Sequence, residues 1–284
     1  DTATQTLSLT GSDATNKYHC AIKGHERILS PAVYSPKVPI LSAKPSNDIA
    51  EGTPVTLTCS SDANPGATYT WYRANQNVQP FRKEPQIVFS SIQASDAGRY
   101  TCAAENDLGS GGSSSIYINV MYRPKTCTVS VTPSGQIEEG KPVDLTCMSD
   151  ANPAAEYTWY KENKILPDAS KQVYHFHTVS SDDRGSYFCS SKNQYGHLES
   201  SPLFLDVLYA PRFLSVSLSP SGKIAEGSSV TLTCSSDANP AADYNWYKEG
   251  KDSPEASGKN FTISNIQHEH SGDYYCKVQN KIGR

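Results

Sequence analysis

The sequence lacks the features that mark several common classes of protein. No run of about 18 apolar residues occurs among its 284 residues, which argues against a membrane-spanning helix within this segment. It contains no C-x-x-C pair, no G-x-S-x-G or H-E-x-x-H motif and no complete phosphate-binding loop. We therefore predict no catalytic centre, no cofactor and no metal ion.

An excess of positive charge is also missing. The 25 lysines and arginines are outnumbered by 29 aspartates and glutamates, which gives a net charge of −4 and no indication of a nucleic-acid or anionic-membrane partner. Methionine is rare, with 2 residues, whereas tyrosine is frequent, with 17. Together with 18 glycines and 18 prolines, this composition is typical of β-strands joined by turns.

The eight cysteines are widely spaced, which favours disulfides and an oxidising compartment. Six of them belong to an internal repeat. Cys59, Cys147 and Cys234 are separated by 88 and 87 residues, and the word Ser-Asp-Ala-Asn-Pro follows each of them. This period is too long for a solenoid and fits one small domain per repeat.

Each repeat contains the same set of four residues. A tryptophan follows the first cysteine by 12 residues, the second cysteine follows by 42 or 43, and a tyrosine stands two residues before the second cysteine. In an immunoglobulin sandwich such cysteines join strands B and F of opposite sheets, the tryptophan of strand C packs on the disulfide, and the tyrosine binds backbone at the E–F corner. We predict an all-β chain of tandem immunoglobulin-like β-sandwiches of the constant or intermediate type, because the short spacing leaves no room for strands C′ and C″. The predicted disulfides are Cys59–Cys102, Cys147–Cys189 and Cys234–Cys276, and the predicted core residues are Trp71, Trp159, Trp246, Tyr100, Tyr187 and Tyr274.

Tyr-x-Pro words at 34–36, 122–124 and 209–211 mark the ends of the repeats. Proline ends a strand ladder, so strand G of one domain should pass to strand A of the next almost without a linker, as in a semi-rigid rod. The chain is expected to be truncated at both ends and its first segment to be frayed. The predicted domains are the C-terminal part of an immunoglobulin-like domain (strands E–G) at 1–36, the first repeat at 37–122, the second repeat at 123–209, and the third repeat, which lacks strand G, at 210–284.

Two cysteines remain unpaired in this scheme. Cys20 lies on strand F of the partial domain, next to predicted strand E at Leu7 and Leu9, and Cys127 opens strand A of the second repeat. A whole domain, roughly 35–45 Å long, separates them, whereas the Cα atoms of a disulfide lie within about 7 Å. We expect Cys20 to have its partner outside the sequence. Cys127 is either a partly buried free thiol, which we favour, or a bridge to another chain.

Several polar residues have a structural interpretation. Asp96 and Asp183 stand six residues before the second cysteine and are expected to cap the E–F turn, and His270 occupies this position in the third repeat, where the turn is expected to be held differently. His175 and His177 flank a strand-E phenylalanine and should point to solvent. A zinc site would need a third ligand, and none is evident.

Two short motifs concern the surface. The run Gly109–Ser115 predicts a flexible F–G loop and lacks the lysine and helix of a phosphate-binding loop. Asn260-Phe-Thr262 is a glycosylation sequon. Phe261 should face the core from strand E, so Asn260 should face water and accept a glycan.

The words Cys-Ser-Ser-Asp-Ala-Asn-Pro at 59–65 and 234–240, Tyr-Thr-Trp-Tyr at 69–72, and Tyr-Ala-Pro-Arg at 209–212 resemble the membrane-proximal constant-type domains of the siglecs, the sialic-acid-binding immunoglobulin-type lectins. The resemblance implies a variable-type lectin domain, a transmembrane helix and inhibitory tyrosine motifs, none of which lies in this sequence. Siglecs hold sialic acid with a strand-F arginine, and the segment 18–23 contains none. No sugar-binding residue is therefore assigned here.

The resemblance implies the extracellular stalk or adhesion region of a siglec-like inhibitory immune receptor, which is not an enzyme. Its partners would be cell-surface glycoproteins or other proteins, with sialylated glycans bound only through a distal domain, and a membrane anchor outside the sequence. One alternative is a homophilic or matrix-binding adhesion molecule without lectin activity. Another is the ectodomain of a receptor enzyme such as a kinase, and the flanking sequence would separate the three.

Overall fold

The described part of the chain consists of β-strands joined by turns, with three short 3-10 helices. Its buried apolar residues form three clusters, one in each repeat. The chain divides into two compact units: unit 1 holds residues up to Arg123 with 151–154 and 193–196, and unit 2 holds 124–150, 155–192 and 197–284. The computed structural model describes residues 17–22, 25–46, 49–74, 80, 82–168 and 170–284.

The segment before the first repeat contributes a small antiparallel hairpin to unit 1. Strands β1 (Ala21–Ile22) and β2 (His25–Leu29) pair, and an isolated bridge joins Tyr18 to Val33. The predicted strand E at Leu7 lies outside the described residues.

The first repeat forms two antiparallel sheets in unit 1, in the orders β3-β5-β7 and β6-β8-β9. Alternation in β5 buries Val55, Leu57 and Cys59 and leaves the threonines between them partly exposed, as a strand with one core-facing side requires. The strands are β3 (Ile40–Lys44), β4 (Ile49–Ala50), β5 (Val55–Ser60), β6 (Thr68–Arg73), β7 (Gln86–Phe89), β8 (Gly98–Asn106) and β9 (Gly109–Ile118), with a 3-10 helix at Ala94–Asp96.

The prediction of a flexible loop at Gly109–Ser115 is wrong. These residues belong to β9, where Ser114 pairs with Cys102 and Ser115 with Thr101. The backbone ladder of β8 supplies the hydrogen bonds, so the low strand propensity of glycine and serine is overridden by pairing with a central strand.

The second repeat also has two sheets, with β15-β12-β10 in one and β14-β13-β16-β17 in the other, where β18 also pairs with β16. Its strands are β10 (Val120–Thr132), β11 (Ile137–Glu138), β12 (Val143–Asn152), β13 (Glu156–Lys161), β14 (Lys164–Ile165), β15 (Val173–Phe176), β16 (Gly185–Asn193), β17 (Gly196–Glu199) and β18 (Leu203–Leu205), with a 3-10 helix at Ser181–Asp183.

The prediction that the short cysteine spacing leaves no room for a strand C′ is wrong in the second repeat, where a two-residue strand follows strand C. β14 pairs with β13 across a two-residue turn, in which Glu162 and Asn163 have φ values of 46° and 71°. Positive φ at both central residues is the geometry of a type I′ hairpin, which reverses the chain within very few residues.

The third repeat lies in unit 2, with the sheets β11-β19-β20-β23 and β22-β21-β24. Its core cluster is smaller, and the strand-A residues Leu214, Val216 and Leu218 are 52%, 53% and 38% exposed. Within the described residues, no strand lies beside β24 in the way that β18 lies beside β16. The strands are β19 (Val207–Ser219), β20 (Val230–Asn239), β21 (Asp243–Lys248), β22 (Ala256–Ser257), β23 (Asn260–Ile263) and β24 (Tyr274–Gln279), with a 3-10 helix at His268–His270.

Each core is built around a disulfide and a tryptophan. The disulfides join Cys59 to Cys102, Cys147 to Cys189 and Cys234 to Cys276. All three tryptophans, Trp71, Trp159 and Trp246, are completely buried. The tyrosine hydroxyls donate to the backbone four residues upstream: Tyr100 to Asp96 O (2.7 Å), Tyr187 to Asp183 O (2.6 Å) and Tyr274 to His270 O (3.1 Å).

The E–F turns have one geometry in all three repeats. The Gln93 N–H donates to Asp96 Oδ2 at 2.9 Å, and the Ser180 N–H donates to Asp183 Oδ2 at 2.7 Å. In the third repeat the Gln267 N–H donates to Nδ1 of His270 at 2.8 Å. The histidine therefore replaces the carboxylate as acceptor, and only the accepting atom differs from the other repeats.

His270→Ala should lower the free energy of unfolding by about 1 kcal/mol, because the turn loses its side-chain acceptor. His270→Asp should keep the stability, because its carboxylate can accept the same N–H. Chemical denaturation measures both changes. His268→Ala, at an exposed position of the same 3-10 helix, is the control, and an equal loss in the two alanine variants would contradict the capping role.

A glycine with positive φ precedes strand B in each repeat, with values of 86° at Gly52 and Gly140 and 84° at Gly227. Gly52→Ala should lower the stability of the first repeat by about 1 kcal/mol, because a Cβ is disfavoured in this region of φ. Gly66→Ala is the matched control, since both positions have open space for a Cβ and Gly66 does not have a positive φ. Native-state hydrogen exchange of β5 amides reports the change, and equal effects would contradict the backbone argument.

Candidate functional site

The Tyr-x-Pro words lie in hydrogen-bonded joints, the points at which the chain enters each repeat. In the joint at 34–37, the Tyr34 N–H donates to Asn64 O at 2.7 Å, and the Asn64 amide nitrogen donates to Ala32 O at 2.6 Å. Asp62 accepts from the Tyr34 hydroxyl at 2.6 Å and pairs with Lys37 Nζ at 2.6 Å. The Ser-Asp-Ala-Asn-Pro motif therefore binds the Tyr-x-Pro motif that precedes it in the chain.

The joint at 209–212 repeats this chemistry inside unit 2. Asp237 accepts from the Tyr209 hydroxyl at 2.9 Å and from Arg212 Nε at 3.0 Å. The Asn239 amide nitrogen donates to Val207 O at 2.7 Å, as Asn64 does to Ala32. The spacing from tyrosine to aspartate is 28 residues in both joints.

Neighbouring side chains lower the pKa values of the two joint aspartates. Hydrogen bonds from Lys37, and then from Tyr34, hold the pKa of Asp62 below its usual value. In the same way, hydrogen bonds from Arg212, and then from Tyr209, lower the pKa of Asp237. Both carboxylates are therefore ionised at neutral pH, as a joint that relies on ion pairing requires.

Arg212 connects the second and third repeats. Besides Asp237 of the third repeat, its guanidinium lies 3.6 Å from Glu139 Oε1 and donates to the Ser181 hydroxyl, both in the second repeat. It also stacks over the ring of Tyr209, with 4.5 Å from Cζ to the ring centroid. A planar group with several donors suits this position better than a lysine would.

A second asparagine in each F–G turn completes the joint. Its side-chain oxygen accepts from a backbone N–H two residues later, and its nitrogen donates to two carbonyl oxygens, one of a Tyr-x-Pro tyrosine and one of the proline in Ser-Asp-Ala-Asn-Pro. The nitrogen–oxygen distances are 3.1 and 2.9 Å from Asn106 to Tyr34 and Pro65, 2.8 and 3.0 Å from Asn193 to Tyr122 and Pro153, and 2.8 and 2.9 Å from Asn280 to Tyr209 and Pro240.

Backbone packing in the first joint also requires a glycine. A Cβ at Gly111 would lie 2.4 Å from the carbonyl oxygens of Pro36 and Lys37. Gly111 of β9 is buried, so no side chain could turn away from this contact. The glycine-rich strand is thus a packing surface for the chain that enters the first repeat.

The other residues singled out in the sequence lie apart from the joints. Cys20 is an exposed free thiol, whereas Cys127 is a partly buried free thiol. Asn260 is exposed at the start of β23, and its occupancy by a glycan stays a prediction. His175 and His177 are exposed, and His175 Nδ1 contacts Asp144.

Among the described residues, one group of three potential metal ligands is close enough to share an ion, and it consists of Cys127, Cys147 and Cys189. Two of its sulfurs form a disulfide, and zinc requires thiolates, so this group does not fit a metal site. In the described part of the chain, no helix is long and apolar enough to cross a membrane.

Comparison with known proteins agrees with this architecture. The immunoglobulin domain family matches residues 38–120, 125–207 and 214–280. The chain belongs to the immunoglobulin domain family. The full ectodomain of mouse nectin-like molecule 4 (Ig1–Ig3) shares the fold, with a TM-score of 0.52 and 24% identity over 83% of this chain and 92% of that one.

Two curated relatives indicate the class of protein. The chain is 34% identical over 254 residues to B-cell receptor CD22 of Mus musculus and 26% identical over 268 residues to neural cell adhesion molecule 1 of Gallus gallus. The matches cover 88% and 81% of this chain but only 29% and 24% of the relatives. The chain is therefore a set of tandem immunoglobulin domains of the receptor and adhesion class, and it is not an enzyme.

The polar partners at the joints were not predicted from the sequence, in which Ser-Asp-Ala-Asn-Pro served only as a repeated motif and as part of the siglec resemblance. A usable signal was present, since a basic residue follows each Tyr-x-Pro and an aspartate follows each tyrosine by 28 residues. Opposite charges that recur at one fixed offset indicate a contact that is repeated in each of the domains.

Acidification should weaken the joint at 209–212. Because the folded-state pKa of Asp237 is depressed, its stabilisation is present above the ordinary carboxylate pKa of about 4 and is lost as pH falls through the lower folded value. Asp237→Asn should therefore reduce stability at pH 7 and have less effect at about pH 3. Chemical denaturation at both pH values checks this. The control is Asp243→Asn at an exposed position of β21, and an equal effect of Asp237→Asn at both pH values would refute the ion-pair argument.

Proposed function

We propose that this chain is the extracellular stalk of a siglec-like inhibitory receptor on immune cells. In this role the repeats space a distal ligand-binding domain from the membrane and offer surfaces for contacts with other proteins. The observation that carries the proposal is the polar joint, in which each described Tyr-x-Pro word is bound by residues of the repeat that follows it.

A spacer must hold each domain in a defined position relative to the next, and the joint at 209–212 has the contacts that this requires. Strand β19 runs from Val207 to Ser219 without a linker between the repeats. Its first residues pair with β11 of the second repeat, and its later residues pair with β20 of the third. Arg212 then ties Glu139 to Asp237 across the joint. Bending would break these contacts together.

The siglec assignment rests on the sequence words and on the 34% identity to B-cell receptor CD22. Sialylated glycans would be bound by a distal variable-type domain and not by this chain, because the segment 18–23 has no arginine to hold a carboxylate. The receptor would lie on the extracellular side of the plasma membrane as a single-pass protein. Three disulfides agree with that oxidising compartment.

The second candidate is an immunoglobulin-type adhesion molecule that binds itself or the matrix without lectin activity. It is favoured by the identity to neural cell adhesion molecule 1. The two candidates differ in what the 284-residue chain does alone, since an adhesion segment should bind a partner directly and a spacer should not.

The first test uses the chain by itself and the full-length receptor. Beads coated with the 284-residue chain should stay dispersed and should not bind sialylated glycoproteins. Cells that express the full-length receptor should bind such glycoproteins, and sialidase treatment of the glycoproteins should abolish the binding. Aggregation of the chain-coated beads would favour the adhesion molecule and overturn the spacer proposal.

The second test addresses spacing itself. A full-length receptor from which residues 123–284 are deleted should still bind a soluble sialylated glycan but should bind less well to sialylated cells. Insertion of two unrelated immunoglobulin domains at the deletion should restore cell binding, because only length is replaced. Failure of that insertion would show that these repeats supply specific contacts instead.

A further inference from the structure

Three sulfur atoms meet inside the second repeat. Cys127 Sγ lies 3.7 Å from Cys147 Sγ and 3.7 Å from Cys189 Sγ, and these two cysteines form the disulfide of that repeat. A free thiol therefore lies in van der Waals contact with both sulfurs of a disulfide. Contact between a thiol and a disulfide is the arrangement from which thiol–disulfide exchange proceeds.

The topology explains why the three sulfurs meet. Cys127 lies on β10 and Cys147 on β12, which are neighbouring strands of one sheet, whereas Cys189 lies on β16 of the opposite sheet. Cys127 alternates with Val129 and Val131 along β10, and all three pack against the core. The strand-A side chain is therefore directed at the bond between the sheets.

The other two repeats have no such group. The chain has eight cysteines, of which six form the three disulfides; of the two free cysteines, Cys127 lies in the second repeat and Cys20 lies exposed outside the repeats. In the first repeat Leu41 is paired with Cys59, and in the third Val216 is paired with Cys234. The first and third repeats, each with one disulfide and no neighbouring thiol, thus serve as internal controls.

We propose that Cys127 makes the second repeat a thiol–disulfide exchange site that can hold either of two bonds between its sheets. The thiolate of Cys127 attacks Cys189 Sγ, the Cys127–Cys189 bond forms and the Cys147–Cys189 bond breaks. The electron pair leaves on Cys147 Sγ, which takes up a proton in place of the one lost by Cys127. No oxidant or reductant is consumed.

The exchanged bond preserves the link between the sheets. Cys127–Cys189 would join β10 to β16 and close a separation of 62 residues, in place of the 42 residues between Cys147 and Cys189. Attack on Cys147 would instead join two neighbouring strands of one sheet and leave the sandwich without its covalent link. We therefore expect Cys127–Cys189 as the product.

Exchange would also change the burial of the free thiol. Cys127 is partly buried, whereas Cys147 is completely buried. After exchange the free thiol would therefore be enclosed in the core. The Cys127 sulfur is equally far from the Cys147 and Cys189 sulfurs and therefore lies at the side of the disulfide bond. It must move towards the Cys189 end of the bond before it can attack that sulfur.

Cys147→Ala, made in the whole 284-residue chain and purified under oxidising conditions, tests the alternative pairing. Non-reducing peptide mapping by mass spectrometry should find a Cys127–Cys189 disulfide. The matched control is Cys59→Ala, which should leave Cys102 as a free thiol because no third cysteine lies near it. If Cys127 and Cys189 both remain free in a folded Cys147→Ala chain, the proposal is overturned.

The unmutated chain provides a test that does not depend on the folding of a variant. It is incubated in a glutathione redox buffer, quenched with acid, unfolded in an acidic denaturant that contains a maleimide, and mapped. A Cys127–Cys189 peptide should appear, together with alkylated Cys147, while no rearranged pair forms in the first or third repeat. If only the original three disulfides are recovered at every glutathione concentration that leaves the chain folded, Cys127 is a bystander and the proposal fails.

Discussion

The disulfide between the two sheets, covered by a buried tryptophan, is the constraint on which each repeat depends. A domain of about 90 residues buries too little surface for a large core, so a cross-link that contributes about 2–4 kcal/mol is a large share of its stability. With strands B and F fixed to each other, strand C is held by its tryptophan, and the tyrosine at the start of strand F fixes the E–F corner. The turn caps at Asp96, Asp183 and His270 then follow from one backbone geometry.

The joints extend this local order along the chain. The end of strand B carries Ser-Asp-Ala-Asn-Pro, and the F–G turn carries an asparagine, so both lie at the same end of the sandwich, beside the entering chain. Because that position is fixed by the core, Asp237 and Asn280 meet Tyr209 without any long linker. Hydrogen bonds to backbone carbonyls hold these joints, together with the ion pair of Lys37 with Asp62 at 34–37 and the ion pairs of Arg212 with Glu139 and Asp237 at 209–212. This arrangement favours a spacer over a flexible tether.

The same packing that stabilises the second repeat makes its chemistry different from that of its neighbours. A leucine or valine opposite the strand-B cysteine adds only apolar contact, whereas Cys127 adds a third sulfur next to the bond that holds the sheets together. The repeats therefore share one scaffold but need not share one reactivity. A stalk with such a site would respond to the thiol content of its surroundings, while the flanking repeats would keep their bonds.

The sequence by itself determined the fold class and the family, because the spacing of Cys59, Trp71, Tyr100 and Cys102 can be satisfied by few sandwiches other than the immunoglobulin type. It also indicated the E–F caps, which depend on neighbours in the chain. The strand at Gly109–Ser115, the short strand β14, the partners of Asp62 and Asp237 and the meeting of Cys127 with its disulfide were decided only by the tertiary structure. Each of these depends on residues far apart in sequence that become neighbours when the sheets pair and stack. Apart from the fixed 28-residue offset between the joint tyrosines and aspartates, proximity of that kind leaves no mark in local composition or periodicity.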